Sequence, residues 1–276
     1  MEKLIFKTEK KDKILNILSS KGFSYAYASK LLRNKDVRVE DVKIKDNIII
    51  ESGCKITVFY SKEKMFENDI DVVFEDENII IINKSAGIEI EGENSLTKKL
   101  NALAVHRLDR NTTGLVILTK NKISQEILLD AFKNHNVTKK YLAEVAGATS
   151  FKNHLMTAYL LKDASKSLVK VFDSPVKNSV QIKTIFNTLK SNPSSSIVEC
   201  TLITGKTHQI RASLSYLGHP IIGDGKYGKN EINKKFKEKT QKLHCFFIEF
   251  NNLNGILKYL NKKSFSALPV WQKNIL

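Results

Sequence analysis

A charged turn set against an apolar run does most to limit what this chain can fold into. Val105-His106-Arg107-Leu108-Asp109-Arg110-Asn111-Thr112-Thr113-Gly114 leads directly into Leu115-Val116-Ile117-Leu118. Four apolar residues bounded by Gly114 and Thr119-Lys120 read as a short buried strand, and Gly114 gives the turn its freedom. Asp109 therefore stands at the mouth of a core strand, with Arg107 and Arg110 close on either side. Neighbouring cations favour the charged form of a carboxylate. Such an Asp can be a nucleophile or a base, with the arginines holding a polyanion. It can equally be a loop residue in surface ion pairs.

The chain reads as two regions. In residues 1–62, Ile14, Leu15, Ile17 and Leu18 recur at helical spacing over Lys13–Ser20, and Gly22 ends that helix. Ser24 is a candidate cap for a second helix, Tyr25–Arg33, with Ala28, Leu31 and Leu32 inward and Lys30 and Arg33 outward. Val37–Val39, Val42–Ile44 and Lys55–Phe59 alternate as short strands. The polar stretch Ser61–Asp69 places a linker at 63–70.

Strands dominate residues 71–276. Asn121 is placed to cap a helix whose Ile123, Ile127, Leu128, Ala131 and Phe132 form one stripe. Lys140–Val145 alternates, so Tyr141, Ala143 and Val145 share a face. Ser179–Leu189 and Ile197–Ile203 flank the polar turn Ser191–Ser196 as a hairpin. Thr207–Leu217 is expected as a helix with Ile210, Leu214 and Leu217 inward, closed by Gly218. Lys-rich Asn230–Lys242 reads as a mobile surface loop. Successive strands with occasional helices give an α+β class: a mixed, mainly antiparallel sheet with flanking helices, plus a small N-terminal α/β domain.

The balance of 45 Lys and Arg against 29 Asp and Glu gives a net charge of +16. A protein this basic most often meets nucleic acid or an anionic membrane surface. No apolar run approaches the roughly 18 residues of a membrane span, so no membrane partner is expected. Met1–Lys13 has no signal-peptide core. Cys54, Cys200 and Cys245 are scattered, with no CxxC pair, which points to a reducing cytoplasm. No phosphate-binding glycine motif or metal-spaced His/Asp cluster stands out, so neither cofactor nor metal is expected.

Four separated motifs carry a family resemblance. They are His106-Arg107-Leu108-Asp109 through Gly114, Lys139-Lys140-Tyr141-Leu142-Ala143, Thr204-Gly205-Lys206-Thr207-His208-Gln209-Ile210-Arg211, and Gly218-His219-Pro220-Ile221-Ile222-Gly223-Asp224 through Tyr227-Gly228. With Phe74–Asn78 and Asn83-Lys84-Ser85-Ala86-Gly87 ahead of them, they resemble the catalytic domain of RNA pseudouridine synthases. The match is to the HRLD branch acting on large-subunit ribosomal RNA. The order of elements in residues 1–62 resembles an S4-type RNA-binding domain. Lys35-Asp36 departs from its usual Lys/Arg-Gly, and Cys54 replaces an acidic residue after Gly53.

That resemblance implies an isomerase without cofactor. Asp109 matches the essential carboxylate, which would act near C1′ of a flipped uridine, covalently or by stabilising an intermediate. Tyr141 matches the active-site tyrosine, able to stack on the detached base and move a proton. Arg211 matches the arginine that pairs with the Asp, with a fork able to hold it bidentately. Arg107 is expected to enter the RNA. Arg110, Lys206, His208, Gln209, Lys30, Arg33 and Arg38 complete the expected RNA contacts. His106 and His208 are expected as hydrogen-bonded structural residues rather than acid–base catalysts. Lys206 replaces the usual Arg and loses its planar fork. Ser85 replaces the usual Pro and should loosen its turn. The expected partner is large-subunit ribosomal RNA or its assembly intermediate, met by a monomer. Alternatives are a non-catalytic RNA-binding or ribosome-assembly protein with the same fold, and a synthase acting on tRNA.

Overall fold

The computed structural model describes residues 2–23, 25–61, 70–93, 95–163 and 167–272. The chain divides into two compact units, Met1–Asp69 and Ile70–Leu276. Ser24, proposed as a cap, and residues 62–69, which hold most of the expected linker, lie outside the described residues.

The first unit contains β1 (Glu2–Lys7), α1 (Ile14–Ser20), α2 (Tyr25–Arg33), β2 (Val37–Val39), β3 (Val42–Ile44) and β4 (Lys55–Tyr60). Its sheet runs β1-β4-β2-β3 and is antiparallel throughout. The apolar stripes of both helices meet Val37, Ile56 and Val58 in one core. Lys30 and Arg33 are left exposed on α2. Arg38 differs. Strand alternation turns it and Phe59 to the sheet face opposite Val37 and Val58, where its guanidinium lies 5.0 Å from the Phe59 ring. Lys35, at φ 60°, takes the left-handed position that ends α2. Asp36 N–H then donates to Leu31 and Lys35 N–H to Leu32, each at 2.8 Å.

The second unit is built on β5 (Asp71–Glu75), β6 (Ile79–Lys84), β7 (Thr113–Thr119), α3 (Lys122–Lys133), β8 (Val137–Ala146), β9 (His154–Asp163), β10 (Leu168–Phe172), β11 (Val180–Ser191), β12 (Ser195–Leu202), α4 (Gln209–Tyr216), α5 (Asn230–Lys235), β13 (Leu243–Phe250) and β14 (Ser264–Ser266). The main path of its sheet is β10-β9-β11-β12-β8-β13-β7-β6-β5, with β14 added beside β13. Neighbours are antiparallel except at the centre, where β7 runs parallel to β13 through Thr113–His244 and Gly114–Cys245. This is the expected mixed, mainly antiparallel α+β architecture. Tyr141, Ala143 and Val145 face the main core, while Leu142 turns to a small second cluster with Ile197 and Phe246.

The centre explains Gly114. Its φ is +106°, and a Cβ there would lie 2.2 Å from the Cys245 carbonyl oxygen. Only glycine lets β7 approach β13 so closely.

Several boundaries differ from the sequence expectation. Asn121 caps α3 by accepting from Ser124 N–H, but Ile123 is 60% exposed. Ser124 occupies the centre of the buried stripe, and Ile123 is displaced from it by about 100° of helix rotation. The β11–β12 turn is tighter than Ser191–Ser196, because Asn192 Oδ1 accepts from the N–H groups of Ser194 and Ser195. α4 starts at Gln209, since His208 is left-handed at φ 55°. Asn230–Lys242 is not a free loop. It begins with α5, Gln241 is buried against Thr112, and Lys242 pairs with Glu144 and Glu238 at 2.9 Å.

Candidate active site

The Asp109 turn is held from below. Buried Val105 and Leu108 anchor its start in the core. His106 Nε2 accepts the Ile117 N–H at 2.9 Å, a structural bond that ties the motif to β7. Buried Lys84 donates to the carbonyls of Ser85, Ile88 and Arg110 at 2.9–3.0 Å. One ammonium thus joins the turn after β6 to the turn carrying Asp109. With Ser85 in place of a rigid proline, those bonds pin this segment. Thr113 Oγ1 meets His244 Nδ1 at 2.7 Å, and His244 Nε2 meets the Ala267 carbonyl at 2.8 Å.

α4 brings Arg211 to this turn. Ile210 and Leu214 are buried, and Arg211 between them is not a surface residue. Its Nη1 donates to Asp109 Oδ2 at 2.7 Å. Its fork is used elsewhere: Nε and Nη2 donate to Asp224 Oδ2 and Oδ1 at 2.7 and 2.9 Å. The expected bidentate hold on Asp109 is therefore a single bond. The reason is burial. The Asp224 side chain is 0% exposed against 21% for Asp109, so Asp224 requires the fuller neutralisation. Burial works against the Asp224 charge, but Arg211 and the N–H groups of Lys226 and Tyr227 outweigh it and hold the carboxyl below its usual range. Burial likewise opposes the Arg211 charge, and the two carboxylates overcome it.

Asp109 Oδ1 has no hydrogen-bond partner among the described residues, whereas Oδ2 faces Arg211 and His208. One oxygen is thus pinned and the other open. Tyr141 is buried on β8, where it pairs across the strands with Cys245 of β13. Burial, reinforced by Cys245 and Asp109, pushes its phenol well above the usual range, so the hydroxyl is a proton donor or relay rather than a phenolate. Burial also raises the Cys245 thiol to about 12, keeping it neutral.

The expected RNA contacts divide. Arg107, Arg110 and Lys206 are exposed, and Arg110 Nε also donates to the Gly87 carbonyl at 3.2 Å. Gln209 is corrected. It is buried, its amide nitrogen donates to Lys183 O and Thr184 Oγ1, and its oxygen accepts from Thr204 Oγ1 and Lys206 N–H. Every polar group of that amide is occupied in shaping the loop before α4, which leaves none for RNA. His208 faces inward, with Nε2 3.8 Å from Asp109 Oδ2. Lys30, Arg33 and Arg38 belong to the other unit. Sequence reasoning did not assign Asp224, Tyr227, Lys84 or Cys245. The first two stand inside the Gly218–Gly228 motif, which was a usable signal. Nothing in the sequence marked Cys245.

Comparison with known proteins agrees with this geometry. Residues 78–216 match the family model for RNA pseudouridylate synthase. A yeast (Saccharomyces cerevisiae) mitochondrial tRNA pseudouridine(32) synthase is 34% identical over 75% of this chain, although this chain spans only 48% of that protein. The ribosomal large subunit pseudouridine synthase C of Haemophilus influenzae is 30% identical over 84% of this chain and 80% of that one. An uncharacterised RNA pseudouridine synthase of Mycoplasma pneumoniae is 31% identical over 90% and 88% of the two chains. The human RNA pseudouridylate synthase domain containing 4 shares the fold, with a TM-score of 0.59 at 23% identity over 73% of this chain and 89% of that one. The motifs, their assembly around one turn and these matches agree: the chain belongs to the RNA pseudouridylate synthase family.

Proposed function

We propose that this protein converts a uridine of large-subunit ribosomal RNA to pseudouridine, with Asp109 as its essential carboxylate. The observation that carries the reading is the division of labour on Asp109, with Oδ2 held by Arg211 at 2.7 Å and Oδ1 open. In the reaction the N1–C1′ bond breaks, the uracil turns, C5 bonds to C1′, and the proton leaving C5 is balanced by one gained at N1. Oδ1 acts at C1′, by addition or by stabilising the charge that develops there. Tyr141, kept as a neutral phenol by burial, stacks on the base and relays a proton. Arg211 keeps the carboxylate charged and oriented when RNA excludes water. Arg107, exposed on the motif, enters the RNA as the uridine flips out.

Two observations support the large-subunit target. The unit Met1–Asp69 carries two helices followed by a strand hairpin, the order that resembles an S4 RNA-binding domain, with Lys30 and Arg33 exposed on its second helix. The relatives matched over most of both chains include large-subunit synthases. The yeast tRNA enzyme supports the second reading, a tRNA target. Incubating the protein with unmodified ribosomal RNA and with tRNA transcripts, then mapping pseudouridine, decides the matter. Conversion in large-subunit RNA is expected. Conversion confined to tRNA would replace the target, and RNA binding without conversion would favour a non-catalytic role.

A further inference from the structure

The Asp109 carboxylate belongs to a ring of polar groups with one long contact. Arg211 joins Asp109 to Asp224. Asp224 Oδ1 accepts the N–H of Tyr227 at 3.1 Å. The Tyr227 hydroxyl lies 2.9 Å from His208 Nδ1, and His208 Nε2 faces Asp109 Oδ2 across 3.8 Å. The Tyr227 ring steadies both neighbours, with the Arg211 guanidinium carbon 5.2 Å from its centroid and the His208 ring edge-on at 5.5 Å.

The Tyr227 oxygen accepts the Val169 N–H at 2.8 Å. Its own single proton is available to His208 Nδ1, 2.9 Å away, when that nitrogen is unprotonated. An accepting Nδ1 requires a neutral imidazole to carry its proton on Nε2, the nitrogen facing Asp109. The His208 side chain is only 13% exposed, an environment that favours the neutral ring.

We propose that His208 is a positioning residue for Asp109: its Nε2–H is the second donor to Oδ2, and Tyr227 fixes the tautomer that makes it one. The inference rests on Asp109 being the reacting carboxylate. Two donors on Oδ2 hold Oδ1 toward the substrate. At 3.8 Å the contact is not a hydrogen bond in the free protein. It closes when RNA excludes water, as active-site bonds that are long without substrate commonly do.

The left-handed backbone of His208, at φ 55°, offers a competing reason for a special residue here. The two reasons predict opposite orders of variants. His208→Gln carries a side-chain N–H out to the reach of Nε2. His208→Asn suits a left-handed backbone better but extends only to Nδ1. Single-turnover conversion on prefolded RNA should be near the wild-type rate for Gln and roughly ten- to hundredfold slower for Asn, with unchanged RNA affinity. Asn equal to or faster than Gln would overturn the proposal. Nitrogen NMR of the wild-type protein is independent of folding defects in any variant. It should show His208 protonated on Nε2, with that tautomer lost in Tyr227→Phe; a wild-type ring protonated on Nδ1 would overturn the proposal. Asp109→Asn run in the same series separates the two levels. Its activity tests the reading of Asp109, whereas the NMR signature reports on His208 alone.

Discussion

The same residue types do opposite work in the two units. In Ile70–Leu276 the decisive cation is buried: the Arg211 side chain is 7% exposed and shared between two carboxylates. In Met1–Asp69 the two cations of α2 stay in solvent. Lys30 and Arg33 are exposed with no acidic partner among the described residues. The ion pairs Lys11–Glu51, Lys21–Glu9 and Lys55–Asp41 join side chains that are about a third or more exposed. A buried fork cannot relocate without stranding a charge in a low dielectric. An exposed lysine keeps its hydration, and salt screens it. Fixed charge suits chemistry at one carbon. Hydrated charge suits a polyanion whose phosphates must be found and released.

The largest expected effect breaks the fixed region. Arg211→Met strands Asp224 and should cost about 3–5 kcal/mol of stability along with conversion. Arg33→Met should change stability by less than about 0.5 kcal/mol. Denaturant melts of both variants check the contrast, and equal losses would break it. Next comes a pair of glycines. Gly114→Ala drives a Cβ to 2.2 Å from the Cys245 carbonyl oxygen and should cost roughly 3 kcal/mol. Gly53→Ala, at φ +86° with nothing within 4 Å of the new Cβ, should cost only about 1 kcal/mol.

His244 supplies a smaller, pH-dependent effect. Burial lowers its pKa from 6.5 to about 4. The unfolded chain therefore binds the extra proton between those values, and stability falls as pH drops through that window. By pH 5 the loss should reach about 2 kcal/mol. His244→Gln should flatten this acid slope in melts from pH 7 to 5; an unchanged slope would assign it to other groups. The smallest effect lies in the basic unit. Lys30→Glu with Arg33→Glu should weaken RNA binding and flatten the log–log salt slope by about 0.7–0.9 for each phosphate no longer neutralised, with conversion of bound RNA unaffected. Arg38→Glu, on the other sheet face, sharpens this by showing whether a second surface takes part.

Much of the site was legible because its residues stand in contiguous motifs. Asp109, Tyr141 and Arg211 each sit beside apolar residues whose spacing fixes a strand or helix, so elements and candidates came together. Partner choice was not legible. That the Arg211 fork goes to Asp224 depends on which carboxylate is the more deeply buried, a property of the folded sheet. The approach of Gly114 to Cys245 joins residues far apart in sequence, and only strand pairing reveals it. Ile123 shows the limit at a helix end, where an apolar residue beside the stripe need not be covered. Gln209 shows it in a loop, where a polar side chain fitting an RNA contact is instead consumed by local hydrogen bonds.

Asp109 is proposed to react while the surrounding fixed charges only hold it. Asp109→Asn preserves shape and removes the charge, and single-turnover conversion of prefolded RNA measured beside RNA affinity tests the claim most directly. Undetectable product with near wild-type affinity is the predicted result. Product formed at the wild-type rate would contradict it.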